Sequence, residues 1–485
     1  MADVTIGWTP GTPEWWMTRL LYRLMDRQNR YDWLEAYVEG NHPLPDHDER
    51  YIKSFRSLQE KARTNYIGMI TTTPVERIKL KNFTINGEVD DTLTKWWDEN
   101  TGDYQAPIVH NTSAALGNCF VKVVPGVDGP FSTGLPKWQA LDPRTTITEE
   151  DPADPMTTRA ALEMWTDDAT GEIFSILHLQ DFTYYFNGPT VHDCRSLDVP
   201  GLTKRLLTFG GGGFEFNSKV PTPFGVVPIV RFDWIPSFKG ISKAEAEDVI
   251  DVQNRINSTI LDRMVISRNQ AYRQRYAKGV KIPRGKDGQV KAPFDPGADK
   301  LWIVDDKDAE FGEFSEADIR QTLEAIRDDV ADMAAITKTP AHYLMGKMAN
   351  VSGSTLDQAE AGLISKTKQR ITSVGTGWKK VAKISFLFMG KPDLAKADLE
   401  VCFYDPAYHS QAEAADALNK HVTSGVPLVV AANRFGGYSS VELKQIAQAE
   451  VERKAQEAAQ AEQQVALQRE SLAAKQVQPP TTSGK

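Results

Sequence analysis

His42 and His47 flank the tetrapeptide PLPD, and two imidazoles held close together could share a divalent cation. A zinc centre needs further ligands at tight spacing and none follows, so these histidines read as loop residues. VDDKDAE (304–310) has the acidic composition of a calcium loop without its glycine and terminal Glu at the required spacing, which leaves a solvated acidic turn. Gly210–Gly213 could wrap a phosphate, but no helix start follows to supply amide donors, and a flexible hairpin between two strands is the simpler reading. The chain contains no G-x-x-x-x-G-K-[ST], H-E-x-x-H, G-x-S-x-G or C-x-x-C. No catalytic residue, metal or cofactor is therefore assigned. An enzyme whose groups converge only in space, with its site in the 141–240 sheet region, stays open, as does a helical scaffold protein.

The totals set the frame for these residues. At 485 residues the chain is too long for one ordinary core, and 41% hydrophobic with 25% charged residues is globular composition. A net charge of -9 argues against a surface built throughout to hold nucleic acid. Three scattered cysteines indicate neither a disulfide framework nor zinc, and fit a reducing cytoplasm. No secretory leader pattern and no membrane-length apolar run occur, so a soluble protein is expected.

The elements follow from periodicity. Helical patterns are predicted over 13–37, 52–70 and around Trp96 and Trp97, and ALGNCFVKV reads as a helix end followed by a buried strand. From 141 to 234 β-formers dominate, with strands expected at GEIFSILHLQ, FTYYFN, KRLLTFG and VVPIVRF. The fold class is α+β.

Residues 240–279 hold no proline, and glycine only at the two ends. One helix over 243–278 is predicted, started by a Ser242/Glu245 capping box. Asp248 and Asp251 near its start, and Arg268, Arg273, Arg275 and Lys278 near its finish, suit the helix dipole. After a Pro/Gly-rich insertion at 281–314, Ile319, Leu323, Ile326, Val330 and Met333 form a seam expected to pack antiparallel on Val249, Val252, Ile256, Ile260 and Met264. Ile250, Leu261 and Val265 widen the apolar surface of the first helix beyond what one partner covers, which calls for further copies of the chain. In the insertion Lys281, Arg284, Lys286 and Lys291 precede Asp305, Asp306, Asp308, Glu310 and Glu313, a pattern that reads as a solvated loop or, more sharply, as head-to-tail contact between neighbours in a ring. Residues 341–354 read as a polar loop. A helix over 354–388 is expected to kink at Gly375 and Gly377, and the remainder is short helices with a disordered tail from 476.

This order of parts, with YVEGNHPLP, ALGNCFVKV, GISKAEAEDVIDVQNRINSTILDRM and SGSTLDQAEAGLISKTKQR, resembles the portal proteins of long-tailed, siphovirus-type double-stranded DNA bacteriophages, including those of actinobacterial phages. The resemblance implies a portal-like fold assembled as a ring, typically of twelve. It implies an α/β wing (1–240), stem helices (241–280 and 315–340), a small β-containing clip (281–314) and a tunnel loop (341–354). A kinked long helix completing the wing (355–410), a helical crown (411–475) and a tail (476–485) would follow. Lys347, Asn350 and Ser352 would face DNA in the channel, and the charged clip residues would meet a neighbour, the terminase large subunit or the head–tail adaptor. Ile256, Ile260, Ile319, Leu323, Ile326 and Val330 would pack the stem. The other implied partners are double-stranded DNA, the major capsid protein and a scaffolding protein, with no membrane and no cofactor. The protein would be made in the host cytoplasm and stand at one capsid vertex of the virion.

Overall fold

The computed structural model describes residues 9–45, 52–130, 132–154, 157–167, 169–190, 214–238, 240–271, 275–279, 308–313, 318–346, 353–407, 411–438 and 440–476. The chain forms two compact units, one of residues 1–77 with 98–395 and the other of 78–97 with 396–485.

In the first unit, α1 (Pro13–Glu39) starts where Pro13 loses nothing by lacking an N–H, and the Trp15 amide donates to Thr12 Oγ1 at 3.4 Å. The pattern predicts one helix over 52–70; the chain instead forms α2 (Ile52–Ala62) and α3 (Ile67–Val75). After β1 (Leu80–Ile85), β2 (Glu88–Val89) and α4 (Asp91–Glu99), helix α5 (Gly102–Leu116) turns through Gly117 into β3 (Asn118–Val124). Gly117 has φ 95°, and a Cβ there would lie 2.3 Å from the Ser242 carbonyl oxygen, so this turn accepts only glycine.

β4 (Asp128–Gly129) and β5 (Ser132–Thr133) pair with each other, while β6 (Lys137–Leu141) pairs with β3. β7 (Thr146–Glu150), β8 (Thr158–Thr166), β9 (Glu172–Leu179), β10 (Phe182–Thr190) and β11 (Glu215–Pro221) form an antiparallel sheet in the order β11-β10-β9-β8-β7. β12 (Ile229–Asp233) completes a second sheet, β12-β3-β6. Trp16, Leu20 and Leu24, four residues apart on α1, are buried against Ile147, Leu162 and Leu177 of the larger sheet. Each such side chain contributes about 1.5–3 kcal/mol by leaving water. The expected strand KRLLTFG and the Gly210–Gly213 hairpin lie outside the described residues.

The helix predicted over 243–278 is bounded differently. A 3₁₀ turn at Glu247–Val249 leads into α6 (Ile250–Ala271), and Arg275–Lys278 is strand β13, antiparallel to β14 (Glu310–Glu313). Arg275 stands opposite Glu313 and Lys278 opposite Glu310, the latter pair 3.6 Å apart. The Lys278 charge therefore serves cross-strand pairing and not a helix terminus.

α7 (Ile319–Thr337) is capped by Asp318, which accepts from the Arg320 amide at 2.9 Å. α8 (Ala341–Met345) occupies the start of the stretch expected to be loop. α9 (Gly353–Phe388) runs unbroken across Gly375 and Gly377, where a kink was expected. Gly377 has a packing role: a Cβ there would sit 2.5 Å from the Phe232 ring, so the missing side chain lets α9 close onto β12. Gly377→Ala should lower stability by about 1–3 kcal/mol through overpacking, read as a lower denaturation midpoint.

The next residue, buried Trp378, donates from Nε1 to His110 Nε2 at 2.9 Å, which requires that imidazole nitrogen to be unprotonated. Burial pushes the His110 pKa down to about 3. In the unfolded chain it titrates at about 6.5, so the stabilisation is complete above that pH and declines as pH falls towards 3. Between pH 7 and 5 His110 should account for about 2 kcal/mol of lost stability, and His110→Gln should reduce the measured drop by that amount.

In the second unit, β1 pairs with β2 and with β15 (Leu399–Phe403), which α10 (Pro392–Lys396) precedes. Trp96 and Trp97 of α4 pack edge-on to Phe83, with ring centroids 5.8 and 5.6 Å away. Residues 78–97, within the expected N-terminal part, thus join the C-terminal stretch. There follow α11 (Gln411–Thr423), α12 (Leu428–Phe435) and α13 (Ser440–Gln476), which is exposed over 451–469.

Candidate functional site

With no chemical motif to organise a site, the base of the α6–α7 hairpin stands out for its density of buried polar groups. α6 and α7 pack antiparallel, and Arg255 reaches Asp329 at 2.7 Å. Ile256 and Ile260 are buried with Val330 and Met333, Ile326 is partly buried against them, and Ile319 and Leu323 are half-buried further along. The expected seam is therefore deepest at its base. The surplus apolar width of α6 is met in part within the chain: Ala62 and Leu58 of α2 join the cluster that holds Ile250, Leu261 and Val265. Met264, Val265 and Ile266, further along α6, stay partly exposed.

Two polar residues of α6 are fully buried and completely engaged on this same side. Gln253 accepts from the Tyr66 amide at 2.9 Å and donates to the Thr64 carbonyl at 3.1 Å. Asn257 accepts from the Thr64 amide at 3.0 Å and hydroxyl at 2.8 Å, and bonds His42 Nε2 at 2.7 Å. His42, stacked on Tyr37, has its pKa lowered by burial and then by nearby Arg63, as suits a neutral acceptor. It anchors α6; among the described residues no group of three His, Cys, Asp or Glu could hold a metal. His47 lies outside the described residues.

Just before α6, Ser242 and Glu245 form no capping box. Ser242 Oγ bonds Asp233, and the Glu245 carboxylate, 2% exposed, receives Trp234 Nε1 at 2.7 Å, Lys366 Nζ at 2.8 Å and Arg370 Nε at 3.0 Å. Lys366 also donates to the carbonyl of Thr337, the last residue of α7, at 2.6 Å. Burial lowers the Lys366 pKa, and Glu245 offsets part of that cost. Alongside, Arg30 makes a two-point contact with Glu247 at 2.7 and 3.1 Å and donates to the Ser242 carbonyl at 3.0 Å. Arg77 ties α8 to α9 by bonding Tyr343 at 2.8 Å and Glu360 at 3.1 Å, while the Tyr343 hydroxyl donates to Glu360 at 2.8 Å.

Sequence reasoning missed Gln253, Asn257, Lys366 and Arg370 and gave Glu245 a capping role. One signal was available: Leu363, Lys366, Thr367, Arg370, Val374 and Trp378 fall on one helix face at spacings of three and four, placing two cations in an apolar stripe. Lys347, Asn350 and Ser352 lie outside the described residues, as do Lys281, Arg284, Lys286, Lys291, Asp305 and Asp306. Asp308 is an exposed turn residue just before β14. The enzyme alternative points to Glu163 and His178 in the larger sheet, which are buried 3.4 Å apart. Lys122 binds both Glu163 oxygens, at 2.8 and 2.9 Å. Although burial pushes the Glu163 pKa up, its bonds to His178 and Lys122 outweigh that and hold it down, so this carboxylate is committed to the core and is no free base.

A family model described as "Phage portal protein, SPP1 Gp6-like" matches residues 19–464. The portal protein of Mycobacterium phage L5 is 23% identical over 381 residues, covering 75% of this chain and 73% of that protein. The portal protein of Mycobacterium phage D29 is 22% identical over 404 residues, covering 79% and 78%. A chain from a structure described as the neck of a native GTA particle computed with C12 symmetry aligns with a TM-score of 0.39 at 13% identity, covering 85% of this chain and 98% of that one, a likeness too loose to argue from. Matched by the family over most of its length and by two portal proteins over three quarters, the chain belongs to the SPP1 Gp6-like phage portal proteins.

Proposed function

We propose that copies of this portal protein close into a ring, twelve by family resemblance, whose axial channel passes double-stranded DNA into the capsid during packaging and out at ejection. In this reading α6 and α7 form the stem, the β13/β14 hairpin with the insertion between them forms the clip, and the 341–354 stretch borders the channel. The larger sheet belongs to the wing and α11–α13 to the crown. The clip docks first the terminase large subunit and then the head–tail adaptor. Major capsid and scaffolding proteins surround the ring at one vertex of the virion, and the chain is made in the host cytoplasm.

The observation that carries the ring is the gradient along the hairpin: a base fixed by buried polar bonds, and an α7 stripe in which Ile319, Leu323 and Ile326 remain partly open to solvent in a single copy. Half-buried apolar residues in register gain most from a neighbour that covers them. Leu323→Asp tests this, since a buried carboxylate is costly while an exposed one is not. Mass photometry should show the wild type as a ring and the variant as dissociated subunits with unchanged circular dichroism. Rings of wild-type mass from Leu323→Asp would contradict the assignment of this stripe.

A further inference from the structure

We propose that Lys366 is a positioning residue, a latch that fixes both ends of the hairpin base to α9 and so sets the direction in which α6 and α7 leave the body of the unit. Glu245 is already neutralised by Arg370 and further bound by Trp234, so Lys366 is a second cation on one carboxylate, with a side chain only 6% exposed. A surplus buried charge is expelled unless another acceptor holds it.

That acceptor is the Thr337 carbonyl, at the C-terminus of α7, where unpaired carbonyls and the negative end of the helix dipole favour a cation. One ammonium thus bonds the residue that ends α7 and a residue five positions before α6 begins. A methionine of similar length would fill the space, and Arg370 would still satisfy Glu245. Only the directional link between the two hairpin ends would be lost.

The third element of the latch is itself immobilised. α9 is pinned to the smaller sheet by Gly377 against Phe232 and by Trp378 against Trp138 and Phe232, with ring centroids 4.8 and 4.9 Å away. Nearer its start, Glu360 is bonded to Arg77 and Tyr343. The hairpin is therefore referenced through Lys366 to a helix fixed elsewhere, so a shift of α9 is transmitted to the hairpin base. The functional meaning of this link rests on the stem reading above, but its test does not.

Hydrogen exchange on the purified full-length protein, in whatever oligomeric state mass photometry records, reads the latch directly. Lys366→Met should accelerate exchange of amides in 334–339 and 244–250 by about tenfold, the factor one lost hydrogen bond is worth, with 374–386 unchanged. Lys366→Arg, which keeps the charge and donors, should stay within about threefold of wild type. Arg370→Met should leave 334–339 slow, because it does not touch Thr337. Unchanged exchange at 334–339 in Lys366→Met, or equal acceleration in 374–386, would overturn the proposal. If Lys366→Met does not fold, Lys366→Gln is measured against the same two outcomes. A protein that never forms rings yet shows the local acceleration would sink the stem reading and leave the latch standing.

Discussion

Glu245→Gln is expected to cost about 3–5 kcal/mol, because it strands two buried cations that share the carboxylate. The glutamine oxygen could still accept from Trp234, and Lys366 keeps the Thr337 carbonyl, but neither Lys366 nor Arg370 retains an anionic partner. The loss should appear as a lower urea midpoint. Adding Lys366→Met should recover part of it, since one of the two uncompensated charges is then gone, and that non-additivity would mark the residues as one unit. A loss below about 1 kcal/mol would mean that water reaches the cluster and screens it.

Trp378→Ala should be about as severe, at roughly 3–5 kcal/mol, for a different reason. Its ring is fully buried between Trp138, Phe232 and His110, so truncation leaves a cavity against rigid neighbours and deprives His110 Nε2 of its donor. Trp378→Phe keeps most of the ring contacts and loses the hydrogen bond, so it should cost less than half as much. Equal losses for the two variants would show that the bond to His110, and not the ring volume, dominates.

The parts of the fold legible in the sequence are those that local patterns determine. Pro13 and Gly40 bound α1, the α5–Gly117–β3 turn needs glycine, and the four-and-three spacing of α7 identified the buried Val330 and Met333. The parts that were not legible depend on distant partners. Ser242 and Glu245 match a capping pattern, yet Asp233, Trp234, Lys366 and Arg370 claim them, two of these lying more than 120 residues away. A local rule cannot register that competition. Arg275 and Lys278 suit a helix end until a strand bearing Glu310 and Glu313 is brought alongside. The apolar width of α6 suggested other copies because nothing in its own sequence shows that α2 lies against it. Gly377 suggested a kink, and nothing in its own stretch of sequence shows that the Phe232 ring comes within reach of it.

The α2 side of α6 is covered within the subunit, whereas Met264, Val265 and Ile266 of α6 and the outer half of the α7 stripe stay partly open, and that surface together with membership of the portal family favours a ring. The base of the hairpin, by contrast, is stabilised within one subunit by hydrogen bonds and ion pairs that do not depend on assembly.

Single-particle electron microscopy of the purified full-length chain tests the account most directly. The expected images are closed rings with an axial hole, with α6 and α7 of every subunit forming the channel wall and Ile319, Leu323 and Ile326 covered by the adjacent copy. Compact monomers at high concentration, open polymers, or rings in which that stripe faces solvent would contradict it.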